Sequence, residues 1–73
     1  MNFSKEKKRE LIRELRKIFD DDDFVMGTFC DLENDAEIDL VLEYIKDNPD
    51  VESSEIILFT LDIDRNRNSN TNN

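Results

Sequence analysis

Five carboxylates stand at alternate positions in the stretch DLENDAEID: Asp31, Glu33, Asp35, Glu37 and Asp39. That spacing would supply oxygen ligands at alternate positions of a calcium loop, a hard-cation site. Two positions break the pattern. Ala36 stands where the sharp turn needs glycine, and Leu42 stands where a bidentate glutamate is required, with Glu43 one place late. The same residues satisfy a different role. Asn34 is a good N-cap and Glu37 follows three residues on, as in a capping box, so the acids belong to the start of a helix. No metal or cofactor is expected.

Covalent catalysis finds less support still. The chain has no histidine to activate Cys30, which lies in the apolar run FVMGTFCDL and is read as a small packed hydrophobe. Paired carboxylates abound, but no set of nucleophile, base and orienting group can be assembled from them. A protein without catalytic activity is expected.

Charge is the stronger signal. Residues 1–19 carry seven basic and three acidic side chains, whereas residues 20–64 carry sixteen acidic side chains and one basic one, Lys46. The whole chain has a net charge of −9. An anionic body of this kind can stand in for phosphates in a basic groove and steer association with a cationic protein. The competing reading is that Asp and Glu merely solvate the surface. The residues expected to meet a partner are the run Asp20, Asp21, Asp22 and Asp23, then Asp39, Leu40, Glu43, Tyr44 and Phe59. The basic face of residues 5–17 offers nucleic-acid contact in principle, but the net charge repels a polyanion. Its simpler role is to neutralise the acidic body, within the chain or across a dimer.

These residues need elements to hold them. Ile38, Val41, Leu42 and Ile45 recur at i, i+3, i+4 and i+7, which predicts a helix over 35–47, closed by the Asn48-Pro49-Asp50 corner. Leu11, Ile12, Leu15, Ile18 and Phe19 form one stripe of a helix over 4–19, capped by Ser4. The segments 23–32 and 54–63 are ambiguous. Helical spacing and acids at the first turn favour helices, whereas the β-branched and aromatic content permits strands at 24–30 and 56–62. Ser53 or Ser54 would cap the later helix. Its apolar residues fall on two sides, Ile57, Leu58 and Leu61 on one and Ile56, Phe59 and Ile63 on the other. Leu40 and Tyr44 lie off the main stripe of 35–47. With Ile56, Phe59 and Ile63 they form a second apolar patch, suited to a partner or a second copy unless the bundle itself buries it.

The fold class expected is all-α, a small bundle of about four short helices over residues 1–64, with an Asn-rich disordered tail at 65–73. The alternative is α+β with a two-stranded sheet from 24–30 and 56–62. At 73 residues the chain buries a small core, and with one cysteine and no histidine it has neither a disulfide nor a zinc staple. No apolar run is long enough to span a bilayer, and no h-region follows the charged N-terminus, so a cytoplasmic location is expected. The abundance of Asn, Asp, Ile, Lys and Glu, with little Gly, Pro or Ala, is a bias found in AT-rich bacterial or phage genomes. The leading functional expectation is a small inhibitor, immunity or antitoxin-like binder of a basic protein. A homo-oligomerising accessory subunit is the alternative.

Overall fold

The computed structural model describes residues 3–71, with side chains described as far as Arg67. Four helices follow one another: α1 (Lys5–Arg16), α2 (Asp22–Gly27), α3 (Asp35–Asp47) and α4 (Ser53–Thr71), with a 3₁₀ turn at Thr28–Asp31 between α2 and α3. None of the described residues forms a strand element. The all-α architecture therefore holds, and the alternative sheet from 24–30 and 56–62 is not formed.

Capping explains why the two ambiguous segments are helical. The Asp21 carboxylate accepts from the Phe24 N–H at 3.1 Å, and Asp22 and Asp23 occupy the positive first turn of α2. At α4 the expected serine caps give way to glutamates. The Glu52 carbonyl accepts the first helical bonds, from Glu55 and Ile56. Glu55 Oε1 accepts in return from the Glu52 N–H at 2.9 Å. A capping box of this kind satisfies donors that a strand would have to place elsewhere.

The boundaries differ from the sequence expectation in three places. Helix α1 stops at Arg16 because the Ile18 and Phe19 N–H groups both turn back to the Leu15 carbonyl, at 3.1 and 2.8 Å. The expected 23–32 helix divides into six-residue α2 and the tighter 3₁₀ turn. Helix α4 does not end at Ile63 but runs on to Thr71, into the segment expected to be a tail. Residues 72–73 of that expected tail lie outside the described ones.

The core gathers the predicted stripes. Leu11 and Leu15 of α1 meet Ile38, Val41 and Ile45 of α3, while Val25, Phe29 and Leu32 join Ile56 and Ile63 of α4. Val51 seals the corner, where its N–H donates to the Asn48 carbonyl across Pro49 and Asp50 at 3.0 Å. Thr28 and Thr60 are buried, and each hydroxyl donates to a carbonyl of its own helix, Phe24 and Ile57 respectively, at 3.0 Å. Three aromatic pairs close the edges: Phe3 on Phe29, Phe19 on Phe24, and Tyr44 stacked on Phe59.

Two substitutions test this packing by equilibrium denaturation. Ile38 is fully buried at the α1–α3 contact, so Ile38→Ala should lower stability by about 2–5 kcal/mol. Gly27 has right-handed helical backbone angles, and a Cβ there would meet nothing within 4 Å. Gly27→Ala should therefore raise stability by about 0.4–1 kcal/mol through the unfolded state. A loss at Gly27→Ala would mean that the α2 junction needs glycine for a reason other than space.

Candidate partner-binding surface

The alternating acids of 31–39 turn outward and inward to separate protein partners. Asp35 Oδ1 accepts from the Ser4 N–H at 2.8 Å, tying the start of α1 to the start of α3. Asp39 pairs with Lys7 at 2.6 Å across the same helices. Asn34 caps α3 as expected, accepting from the Glu37 N–H at 2.9 Å. The return arm of the box is displaced by one residue, for Glu37 Oε1 accepts from the Glu33 N–H at 2.7 Å. Among the described residues, no group of three or more acids or cysteines is gathered as a metal site.

Glu37 has a second partner that sequence reasoning missed. Arg67, in the expected tail, reaches back from α4 with its side chain only 20% exposed, against 12% for the Glu37 side chain. Its Nη1 donates to both Glu37 oxygens, at 3.1 and 3.3 Å. Its Nη2 donates to Asp64 Oδ1 at 2.7 Å and to the Asp31 carbonyl at 3.2 Å, and Nε lies 3.5 Å from Glu33. Partial burial alone would lower the Arg67 pKa. The Asp64 hydrogen bond and the Glu37 and Glu33 charges outweigh it and raise the pKa above the usual value. A signal was present in the sequence: Ile56, Thr60, Ile63 and Arg67 continue one face at helical spacing.

The cations of α1 do neutralise part of the acidic body. Besides Lys7 with Asp39, Arg16 Nε lies 3.2 Å from Asp22. At the C-cap of α1, Lys17 bonds Glu14 at 3.0 Å, and this hydrogen bond outweighs the opposing desolvation and lowers the Glu14 pKa. That small contribution is present above the usual glutamate pKa and is lost as pH falls through the lowered value. The four-aspartate run is thus divided: Asp21 caps, Asp22 pairs, and Asp20 and Asp23 are exposed.

A second group of acids is left without cations. Glu43, Asp47, Asp50 and Glu52 are exposed along the end of α3 and the corner, and none has a basic partner among the described residues. Asp47, Asp50 and Glu55 border one shallow depression over Pro49. Next to it, Tyr44 and Phe59 stack with ring centroids 4.2 Å apart and planes 8° from parallel, in a groove edged by Glu55, Leu58, Leu61, Asp62 and the cationic Arg65. The structure therefore brings Tyr44 and Phe59 together, with Leu40 exposed one turn away on α3, whereas Glu43 borders the groove between α1 and α3 beside Lys46.

Two expectations need correction. The apolar patch of Leu40, Tyr44, Ile56, Phe59 and Ile63 is not a surface. Ile56 and Ile63 lie in the core, because the buried face of α4 runs through Ile56, Thr60 and Ile63. Phe59 and Tyr44 are half-buried against each other. The outward face carries Ile57, Leu58 and Leu61 instead. Cys30 does not pack in the core; the 3₁₀ turn directs Thr28 and Phe29 inward and leaves Cys30 exposed.

Compared with known proteins, the chain matches no family model, no curated protein and no solved structure. No helix among the described residues is long and apolar enough to cross a membrane.

The Arg67 contacts predict a local effect. Arg67→Ala should speed amide exchange in residues 62–67 and at Glu33, because Glu37 loses its cation and α4 its attachment. Arg67→Lys keeps the charge without the planar fork and should give an intermediate result. Unchanged exchange in Arg67→Ala would mean that the guanidinium adds nothing to the docking of α4.

Proposed function

We propose that this protein is a small non-catalytic binding protein whose acidic α3–α4 corner engages a basic protein partner. The observation that carries the reading is the unequal neutralisation of its carboxylates. Asp39, Asp22 and Glu37 have cations of their own, whereas Glu43, Asp47, Asp50 and Glu52 have none among the described residues. Asp47 and Asp50 border the depression over Pro49 together with Glu55, and Glu55 also borders the groove of the stacked Tyr44 and Phe59. A Lys- or Arg-bearing segment would find charge at the corner and an aromatic surface for its aliphatic stems next to it. Inhibitor, immunity and antitoxin-like factors are roles of this class. An anionic surface would act mainly on encounter rate and partner choice.

The test is affinity capture from a lysate of the source organism, with wild-type protein and with the variant Glu43→Gln, Asp47→Asn, Asp50→Asn and Glu52→Gln. The expected result is a basic protein held by the wild type, lost from the variant, and released as salt shortens the screening length from about 8 Å to about 3 Å. Capture that is equal in both proteins, or absence of any basic protein at low salt, would overturn the reading. Retained helicity of the variant by circular dichroism guards against simple unfolding.

A further inference from the structure

The outward face of α4 carries three large apolar side chains that the fold leaves in solvent. Ile57 is 47% exposed, Leu58 67% and Leu61 40%. Leu61 follows Ile57 by four residues and Leu58 by three, so the three share the side opposite the buried Ile56, Thr60 and Ile63. The charges at the two ends of this stripe are opposite in sign. Glu55 stands at the N-terminal end, with Oε1 on the Glu52 N–H and no cation within the described residues. Arg65 stands at the C-terminal end, exposed, bordering the same groove as Leu58 and Leu61 and without a carboxylate partner among the described residues.

We infer that this face is the interface of a symmetric dimer in which two α4 helices pack antiparallel. The pattern is self-complementary about a two-fold axis at Phe59–Thr60, with the charges centred on Thr60 and the two leucines half a residue earlier. Glu55 and Arg65 lie ten residues apart, about 15 Å along the helix, with the apolar stripe between them. In the antiparallel register, Leu58 and Leu61 of one copy meet Leu61 and Leu58 of the other. Glu55 then faces Arg65 of the second copy, and by symmetry Arg65 faces its Glu55. A parallel pairing would instead set Glu55 on Glu55 and Arg65 on Arg65. The charges thus select a second copy in one orientation, and they give an otherwise unstapled small core an added apolar contact. This interface borders the Tyr44–Phe59 groove of the function proposed above, so a second copy and a basic partner would compete for that groove, but self-association is measured without any partner.

Analytical ultracentrifugation of the purified protein, from micromolar to millimolar concentration, tests it. The wild type is expected to shift from monomer to dimer with rising concentration. Leu58→Glu, at a site too exposed to disturb the core, should weaken association by about tenfold or more. Glu55→Arg and Arg65→Glu each place like charges together twice per dimer and should weaken it by about tenfold. Mixing those two variants restores both pairs, so a heterodimer should form from proteins that are monomers alone. That rescue separates the pairing from any loss of the Glu55 cap, since a frayed α4 would not be repaired by Arg65→Glu. A wild type that stays monomeric throughout, single variants that associate as the wild type does, or a mixture that stays monomeric would each overturn the inference.

Discussion

The buried Glu37 carboxylate joins three parts of the chain that would otherwise have little to hold them together. It accepts from the Glu33 N–H ahead of α3, and it receives the Arg67 guanidinium from the far half of α4. Through Arg67 the Asp31 carbonyl and Asp64 enter the same cluster. A carboxylate so poorly exposed needs a cation, and a guanidinium satisfies both of its oxygens in one plane. The long α4 can therefore lie across the 3₁₀ turn and α3 although much of its length carries few apolar residues. In a domain with so small a core, this polar contact supplies geometry that apolar area alone would leave loose.

Around that cluster, charge is distributed by division of labour. Basic residues of α1 reach α3 through Lys7 and α2 through Arg16, so the cationic helix serves partly as an internal counterion. Such exposed pairs contribute little stability individually. Their effect is to decide which acids face outward uncompensated. Among the acids left without a cation in the described residues, those at the end of α3 and the corner lie close together in sequence, whereas Asp20 and Asp23 stand apart at the start of α2.

Much of this architecture was legible from residue spacing. The stripes of α1 and α3, the Ser4 and Asn34 caps and the corner at Pro49 all follow from periodicity and turn chemistry. The second half of the chain was harder for a stated physical reason. Helix α4 is apolar on two faces, and spacing cannot reveal which face meets the core. Burial selected Ile56, Thr60 and Ile63, which displaced the expected patch and exposed Ile57, Leu58 and Leu61. The reach of α4 was missed because RNRNSNTNN reads as polar and low in complexity, whereas a single arginine on the right face extends the docked helix. Of the candidate residues, Tyr44 and Phe59 stack on each other, Glu43 borders the α1–α3 groove, and Asp21, Asp22 and Asp39 have partners within the chain.

The uncompensated corner also sets how the molecule responds to ionic strength. The exposed carboxylates of Glu43, Asp47, Asp50 and Glu52 add to the self-repulsion of a chain with a net charge of −9. Dissolved ions relieve that repulsion and favour the compact state, yet they weaken attraction to any cationic ligand. Folding and recognition are thereby driven in opposite directions by the same solvent variable. For the proposed binding function, a dilute medium would give a readier binder on a less stable scaffold, and a saline one a firmer scaffold with a muted surface.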